Sequence, residues 1–233
     1  MPKWGRICDS LKSISIFEER VKMSGVKICL CSWPGGGTSV AAKELQIRLA
    51  ENGLKSNVLS TGSIFRALAA AKYPELDPAA ALAKFEVDAK TDLTIDSQVD
   101  GKIVDELRSG QNVIFDSRLA PYFAKLVGLD SSVPPKTCLV YLDCNPWVSA
   151  LRVAARDNEV SIDKVSFLML VQALAENQHR IVTAGSRYRM LYGISSLQTQ
   201  VPAWDREFDT GYISTKDLVE VIMRDLTEKG WIG

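Results

Sequence analysis

The stretch CLCSWPGGGTSVAA, Cys29 to Ala42, decides how the chain is read. Val26, Ile28 and Leu30 alternate in a short apolar run that predicts a buried strand. Three glycines follow, Gly35, Gly36 and Gly37, and Thr38-Ser39 then opens a helical pattern of Val40, Ala41, Leu45, Leu49 and Ala50, stopped at Asn52-Gly53. Glycine permits positive φ and close approach, so successive N–H groups and the positive end of the following helix can point at one oxyanion. Against the phosphate-binding pattern G-x-x-x-x-G-K-[ST], Ser32 to Ser39 keeps Gly37 and Ser39, with Ser32 for the first glycine and Thr38 for the lysine. The missing lysine is a cation for the β and γ phosphates, so either other cations supply that charge or the site does no phosphoryl chemistry. Read alone, the loop serves equally as an ordinary strand-to-helix connector.

Composition sets the frame. The 233 residues, 46% hydrophobic, can fill the core of one α/β domain with an insertion. The 28 basic and 28 acidic side chains balance, so no field of one sign draws in a nucleic-acid polymer or an anionic membrane. No run reaches the roughly 18 to 20 apolar residues of a membrane span, and the first 25 residues lack a continuous apolar signal core, which predicts a soluble, cytoplasmic protein. Five cysteines, four of them (Cys29, Cys31, Cys138, Cys144) in or beside expected strands, read as reduced thiols. One histidine, His179, leaves no His/Cys cluster for zinc. Residues 1–24 alternate charged and apolar character and receive no function.

Moving outward, Ser56 to Leu59 predicts a second strand, ending in Ser60-Thr61-Gly62 before a helix with Arg66. That corner suits a second anion, or is simply a capped helix with a solvated arginine. Helices over Pro78–Lys90 and from Ile95 to Gly110 complete an excursion, residues 63 to 110, too long for a plain crossover and therefore a candidate substrate flap. Asn112 to Phe115 predicts a third strand ending in Asp116-Ser117-Arg118. In parallel sheets the ligand crevice lies beyond the carboxyl ends of strands, where Asp116 can hold a magnesium-bound water and Arg118 can fork onto phosphate. A helix cap and a surface ion pair is the other reading. Thr137 to Cys144 predicts the fourth strand, and Asn145-Pro146 caps a helix, Trp147 to Arg156, with Arg152 and Arg156 on one face. A long helix, Val165 to Tyr192, carries Arg180 and Arg187, also on one face. Either pair alone is a solvated face; together, around a small lid at 157–164, they can supply the charge that Thr38 lacks. Trp204, Phe208 and Tyr212 lead to a last strand at Gly211–Thr215 and a closing helix, Lys216 to Lys229.

In order, SWPGGGTS (Ser32–Ser39), STGSIFR (Ser60–Arg66), IDSQVD (Ile95–Asp100), DSRL (Asp116–Leu119) and RYRMLYGI (Arg187–Ile194) resemble the archaeal-type cytidylate kinases, over roughly residues 25–225. The resemblance implies an α/β protein: a three-layer α/β/α P-loop NTPase fold with a five-stranded parallel sheet, a helical NMP-binding insertion (63–110) and a small lid (157–164), the core being 25–62 and 111–233. Members of that group tend to carry threonine at the lysine position, as Thr38 does; Ser32 and Ala184 depart from the pattern. The implied activity is transfer of the γ-phosphoryl group of ATP, with Mg2+, to CMP or dCMP by a monomer. By position, Pro34, Gly35, Gly36, Gly37, Thr38 and Ser39 hold the ATP phosphates, with Arg152 and Arg156 beside the lid. Ser39 and Asp116 serve the metal. Ser60, Thr61, Gly62, Arg66, Asp96, Asp100 and Arg118 receive the acceptor, and Arg118, Arg180, Arg187 and Asp116 act in catalysis. Two alternatives stay open: a kinase of the same fold for UMP, AMP or another small molecule, and a silent nucleotide-binding module.

Overall fold

The computed structural model describes residues 25–88, 93–130 and 136–233; residues 1–24 and the last two of the helix expected to end at Lys90 lie outside them. The elements are β1 (Val26–Ser32), α1 (Thr38–Glu51), β2 (Ser56–Ser60), α2 (Thr61–Lys72), α3 (Pro78–Asp88), α4 (Leu93–Arg108), β3 (Asn112–Asp116), α5 (Ala120–Asp130), β4 (Lys136–Asp143), α6 (Pro146–Asp157), a 3-10 turn at Ile162–Lys164, α7 (Phe167–Tyr192), β5 (Arg206–Asp209) and α8 (Thr215–Glu228). The five strands form one parallel sheet in the order β2-β3-β1-β4-β5.

Helices cover both faces of that sheet, and the alternation along β1 shows why. Ile28 and Leu30 pack with Leu45 of α1 and Ile222 of α8, whereas Cys29 packs with Ile103 of α4 and Phe123 of α5. A strand buried on both sides is apolar except where a polar group finds partners, and all seven residues of β1 are buried, Lys27 and Ser32 among them. Fully buried Ile28, Leu30 and Ile114 each contribute about 1.5–3 kcal/mol through removal from water. The three helices between β2 and β3 add a small core of their own around Ala69, Ala81, Phe85 and Ile95.

At the amino end of β1, Lys27 is buried and its ammonium donates to Ser109 O, Ser109 Oγ and Gln111 O at 3.0, 3.1 and 2.6 Å. The amine thus ties the central strand to the end of α4, and burial lowers its pKa to about 8.

The last strand differs from expectation. It is Arg206–Asp209, paired along β4 from Val140 to Asp143, and not Gly211–Thr215. Residues 211 to 214 close a turn instead: the Gly211 N–H bonds to Asp209 Oδ1, Tyr212 stands 93% exposed, and the Ser214 hydroxyl accepts from Asp217 N as the cap of α8. Asp205 just before the true strand and Arg206 at its start hide its apolar pattern. Arg206 forks onto Asp225 of α8, and Asp205 Oδ2 accepts from Leu139 N, so both are satisfied by partners remote in sequence. The expected thiols Cys29, Cys31, Cys138 and Cys144 are free, three of them buried. Among the described residues no helix is long and apolar enough to cross a membrane.

Candidate active site

The glycine loop sits at the carboxyl end of β1, between the ends of β3 and β4. Gly35 and Gly37 have φ of 79° and 93°, which L side chains rarely adopt. No side chain caps α1 at Gly37, and of the amides of its first turn Val40 N donates to Gly37 O, which leaves those of Thr38 and Ser39 to face an anion. Ser32 fits in place of a glycine because Gly36 has no Cβ: one added there would stand 1.6 Å from Ser32 Oγ. The loop is held from behind. The buried Ser149 of α6 donates to Pro34 O at 2.6 Å, and Arg152 donates to Gly35 O at 3.4 Å and to Thr210 Oγ1 and O at 3.1 and 2.7 Å.

Asp116 ends β3, in register with Leu30 of β1 and Ser60 of β2. Its Oδ2 accepts from the Ser39 hydroxyl at 2.6 Å, so residues 77 apart in the chain form one exposed oxygen pair beside the glycine loop. A hydroxyl and a carboxylate, open to water, suit Mg2+, which takes few protein oxygens and completes its shell with waters and phosphates. Among the described residues no group of three or more His, Cys, Asp or Glu gathers as an alternative metal nest. Two residues on, the Arg118 guanidinium lies 5.6 Å from the Trp33 ring centre, over the first arm of the loop. Its backbone carbonyl accepts from Gln200 Nε2 at 2.9 Å and from the Cys31 thiol at 3.4 Å. Burial pushes that thiol up to about 12, which keeps it a structural SH.

On the β2 side, Arg66 is exposed and reaches back over Gly62, its Nη1 3.4 Å from where a Cβ would be. The Thr61 hydroxyl is buried without a partner among the described residues, as is that of Ser117. Asp96 and Asp100, one turn apart on α4, face the end of α7. Arg187 grips Asp96 with two hydrogen bonds, and the Tyr192 hydroxyl donates to Asp100. Burial raises the Asp96 carboxyl against the pull of Arg187, and burial with the nearby Asp96 carries Asp100 up to about 7.

Of the expected arginines, then, Arg118 and Arg152 meet the glycine loop. Arg187 is engaged with the insertion helix. Arg156 pairs with its neighbour Asp157, and Arg180 is exposed on α7. A hollow of about 170 Å3 lies on the outer side of the loop between Gly37, Val40, Arg152, Thr210 and Ile213. A second cavity, about 390 Å3, opens between Trp33, Asn145, Ser149, Asn177 and Tyr212. Trp33, Ser149, Gln200 and Thr210 escaped the reading of the sequence, because each acts through partners far along the chain. Tyr192 had a signal, since it falls in the RYRMLYGI block.

No family profile matches the chain. It is similar to a protein named cytidylate kinase from Pyrobaculum calidifontis, 30% identical over 196 residues, covering 84% of this chain and 90% of that one. A cytidylate kinase from Sulfolobus acidocaldarius is 28% identical over 205 residues, 88% of this chain and 96% of the relative. Among solved structures, shikimate kinase from Acinetobacter baumannii aligns over 87% of this chain and 93% of its own, at 14% identity and a TM-score of 0.48.

Proposed function

The chain belongs to the cytidylate kinase family, and from that premise we propose that it moves the γ-phosphoryl group of ATP to CMP or dCMP, giving ADP and CDP or dCDP. It is a nucleoside monophosphate kinase. The observation that carries the finer reading is the Ser39–Asp116 oxygen pair beside an uncapped helix start and a glycine loop.

In this reading Gly35 to Ser39 cradle the donor phosphates with backbone amides, and the hollow beside Arg152 and Thr210 takes the ATP base. Ser39 and Asp116 would hold Mg2+, which when bound neutralises charge on the donor phosphates. The acceptor phosphate settles between Arg66, Arg118 and the Ser60-Thr61-Gly62 corner. An oxygen of that phosphate attacks the γ phosphorus in line, the bond from γ phosphorus to the bridging oxygen breaks, and ADP leaves with the electron pair. The acceptor phosphate is already ionised near neutral pH, so no general base is needed, and the work is positioning and charge neutralisation. That explains a site built from arginines and without its single histidine. Residues 63–110 act as the acceptor flap and 157–164 as the lid, whose closure excludes water that would otherwise hydrolyse ATP.

The test is a coupled assay with ATP, Mg2+ and CMP, dCMP, UMP or AMP. CMP and dCMP should be the fastest acceptors, and Arg118→Ala should lower turnover by about 100-fold or more with the fold intact. A faster rate with AMP or UMP would move the acceptor assignment. ATP binding without turnover on any acceptor would favour a silent nucleotide module.

A further inference from the structure

Among the described residues, Arg187 uses only one edge of its guanidinium. Nε donates to Asp96 Oδ2 at 2.7 Å and Nη2 donates to Asp96 Oδ1, a parallel fork in which both carboxylate oxygens are engaged. Of the five N–H groups of the head, the two on Nη1 and the second on Nη2 lie on the edge turned away from the acid. The side chains are only 21% and 15% exposed, so the pair is sheltered from competing water. Asp96 stands in the first turn of α4, where the helix favours negative charge.

The surroundings hold this geometry from both helices. One turn along α4, Asp100 takes the Tyr192 hydroxyl. The Tyr192 ring is wedged against Tyr122 and Phe123, with centroids 5.7 and 5.6 Å away. Gly193, at φ 70°, then ends α7 and fixes where Tyr192 and Arg187 stand.

We propose that Asp96 is a positioning residue, one that holds Arg187 with its free edge toward the transferring phosphoryl group, and that it does not itself read the acceptor nucleotide. The inference rests on the kinase reading above and adds Arg187 to its charge-stabilising arginines, because its neighbour Tyr188 packs in one cluster with Trp33 of the glycine loop. Two arguments lead to it. A carboxylate with both oxygens in a fork has its best acceptor directions filled, so an incoming base or ribose would meet only the outer lone pairs. A solitary arginine, in contrast, carries large rotamer freedom, and a small misplacement of a charge-stabilising group is expensive in rate. The insertion helix thus contributes to catalysis through a cation carried by another part of the chain.

A double-mutant cycle on the full-length protein decides this: parent, Asp96→Asn, Arg187→Met and the double variant, with kcat and KM for CMP and ATP. Asp96→Asn should cut kcat about 10- to 100-fold and move either KM by less than about threefold. The double variant should be no slower than Arg187→Met alone. Asp96→Glu, which keeps the charge, should recover part of the loss, and it keeps the comparison valid should the asparagine variant fold poorly. A tenfold rise in KM for CMP with kcat preserved would make Asp96 a nucleotide ligand and overturn the proposal, as would effects that multiply. An inactive parent would overturn the functional reading and this inference with it; multiplying effects in an active enzyme overturn this inference alone.

Discussion

Replacing Gly36 by alanine tests how the glycine loop accommodates Ser32. The added Cβ would stand 1.6 Å from Ser32 Oγ and 2.7 Å from Ser32 Cβ. Rotating Ser32 relieves the first overlap and forfeits the hydroxyl's bond to Trp33 O at 2.9 Å, a loss of about 1 kcal/mol. The second overlap does not depend on the rotamer, so the loop backbone itself must shift. Overpacking of that kind costs about 1–3 kcal/mol. If the shift disorders the amide cradle, about 2–4 kcal/mol falls on ATP binding, a factor of about 30 to several hundred. The assay is KM for ATP together with the ATP-induced rise in melting temperature, for Gly36→Ala, Ser32→Gly and the double variant. Ser32→Gly alone should stay within about threefold of the parent, and the double variant should regain most of the lost affinity, because removing the serine side chain clears both overlaps. Parental ATP affinity in Gly36→Ala would refute the reasoning, and so would a double variant no better than Gly36→Ala.

Two further predictions concern pH. Asp100 keeps its proton in the folded protein up to about pH 7, whereas in the unfolded chain it releases it near the ordinary carboxylate value. Between those limits the native state binds more protons, so stability should fall as pH rises through about 4 to 7, by up to about 4 kcal/mol from this group. Asp100→Asn still accepts from Tyr192 and should flatten that slope in urea titrations at pH 5 and 8; equal slopes would refute it. Lys27 runs the other way. With its amine lowered to about 8, mainly by burial and against the pull of Glu106, the unfolded chain holds the extra proton from about pH 8 to 10.5, so stability from this group rises across that window. Lys27→Met should abolish the rise and, by leaving the Ser109 and Gln111 carbonyls unpaired, lower stability by about 1–3 kcal/mol. Parallel profiles for parent and variant at pH 7.5 and 10 would count against it.

Local chemistry was legible in the sequence alone because it repeats within a few residues. The two-residue period of Val26, Ile28 and Leu30 set a strand, and three glycines before Thr38-Ser39 set a tight loop at the start of a helix. Asn145-Pro146 and Asn52-Gly53 marked helix ends through the turn conformations those residues favour. The same period failed at the last strand, where Arg206 and Asp205 look like loop residues until Asp225 and Leu139 are beside them.

Which cation meets which acid was decided only by the tertiary structure. Arg187 and Asp96 are 91 residues apart, and Ser149 and Pro34 are 115 apart. No spacing rule connects them, since their meeting depends on how α7 crosses the insertion and how α6 lies against the loop. A helical or strand period belongs to a short segment and is written in it; the partner of a charged side chain belongs to the packing of whole helices on a sheet, and the chain alone leaves many such partners open.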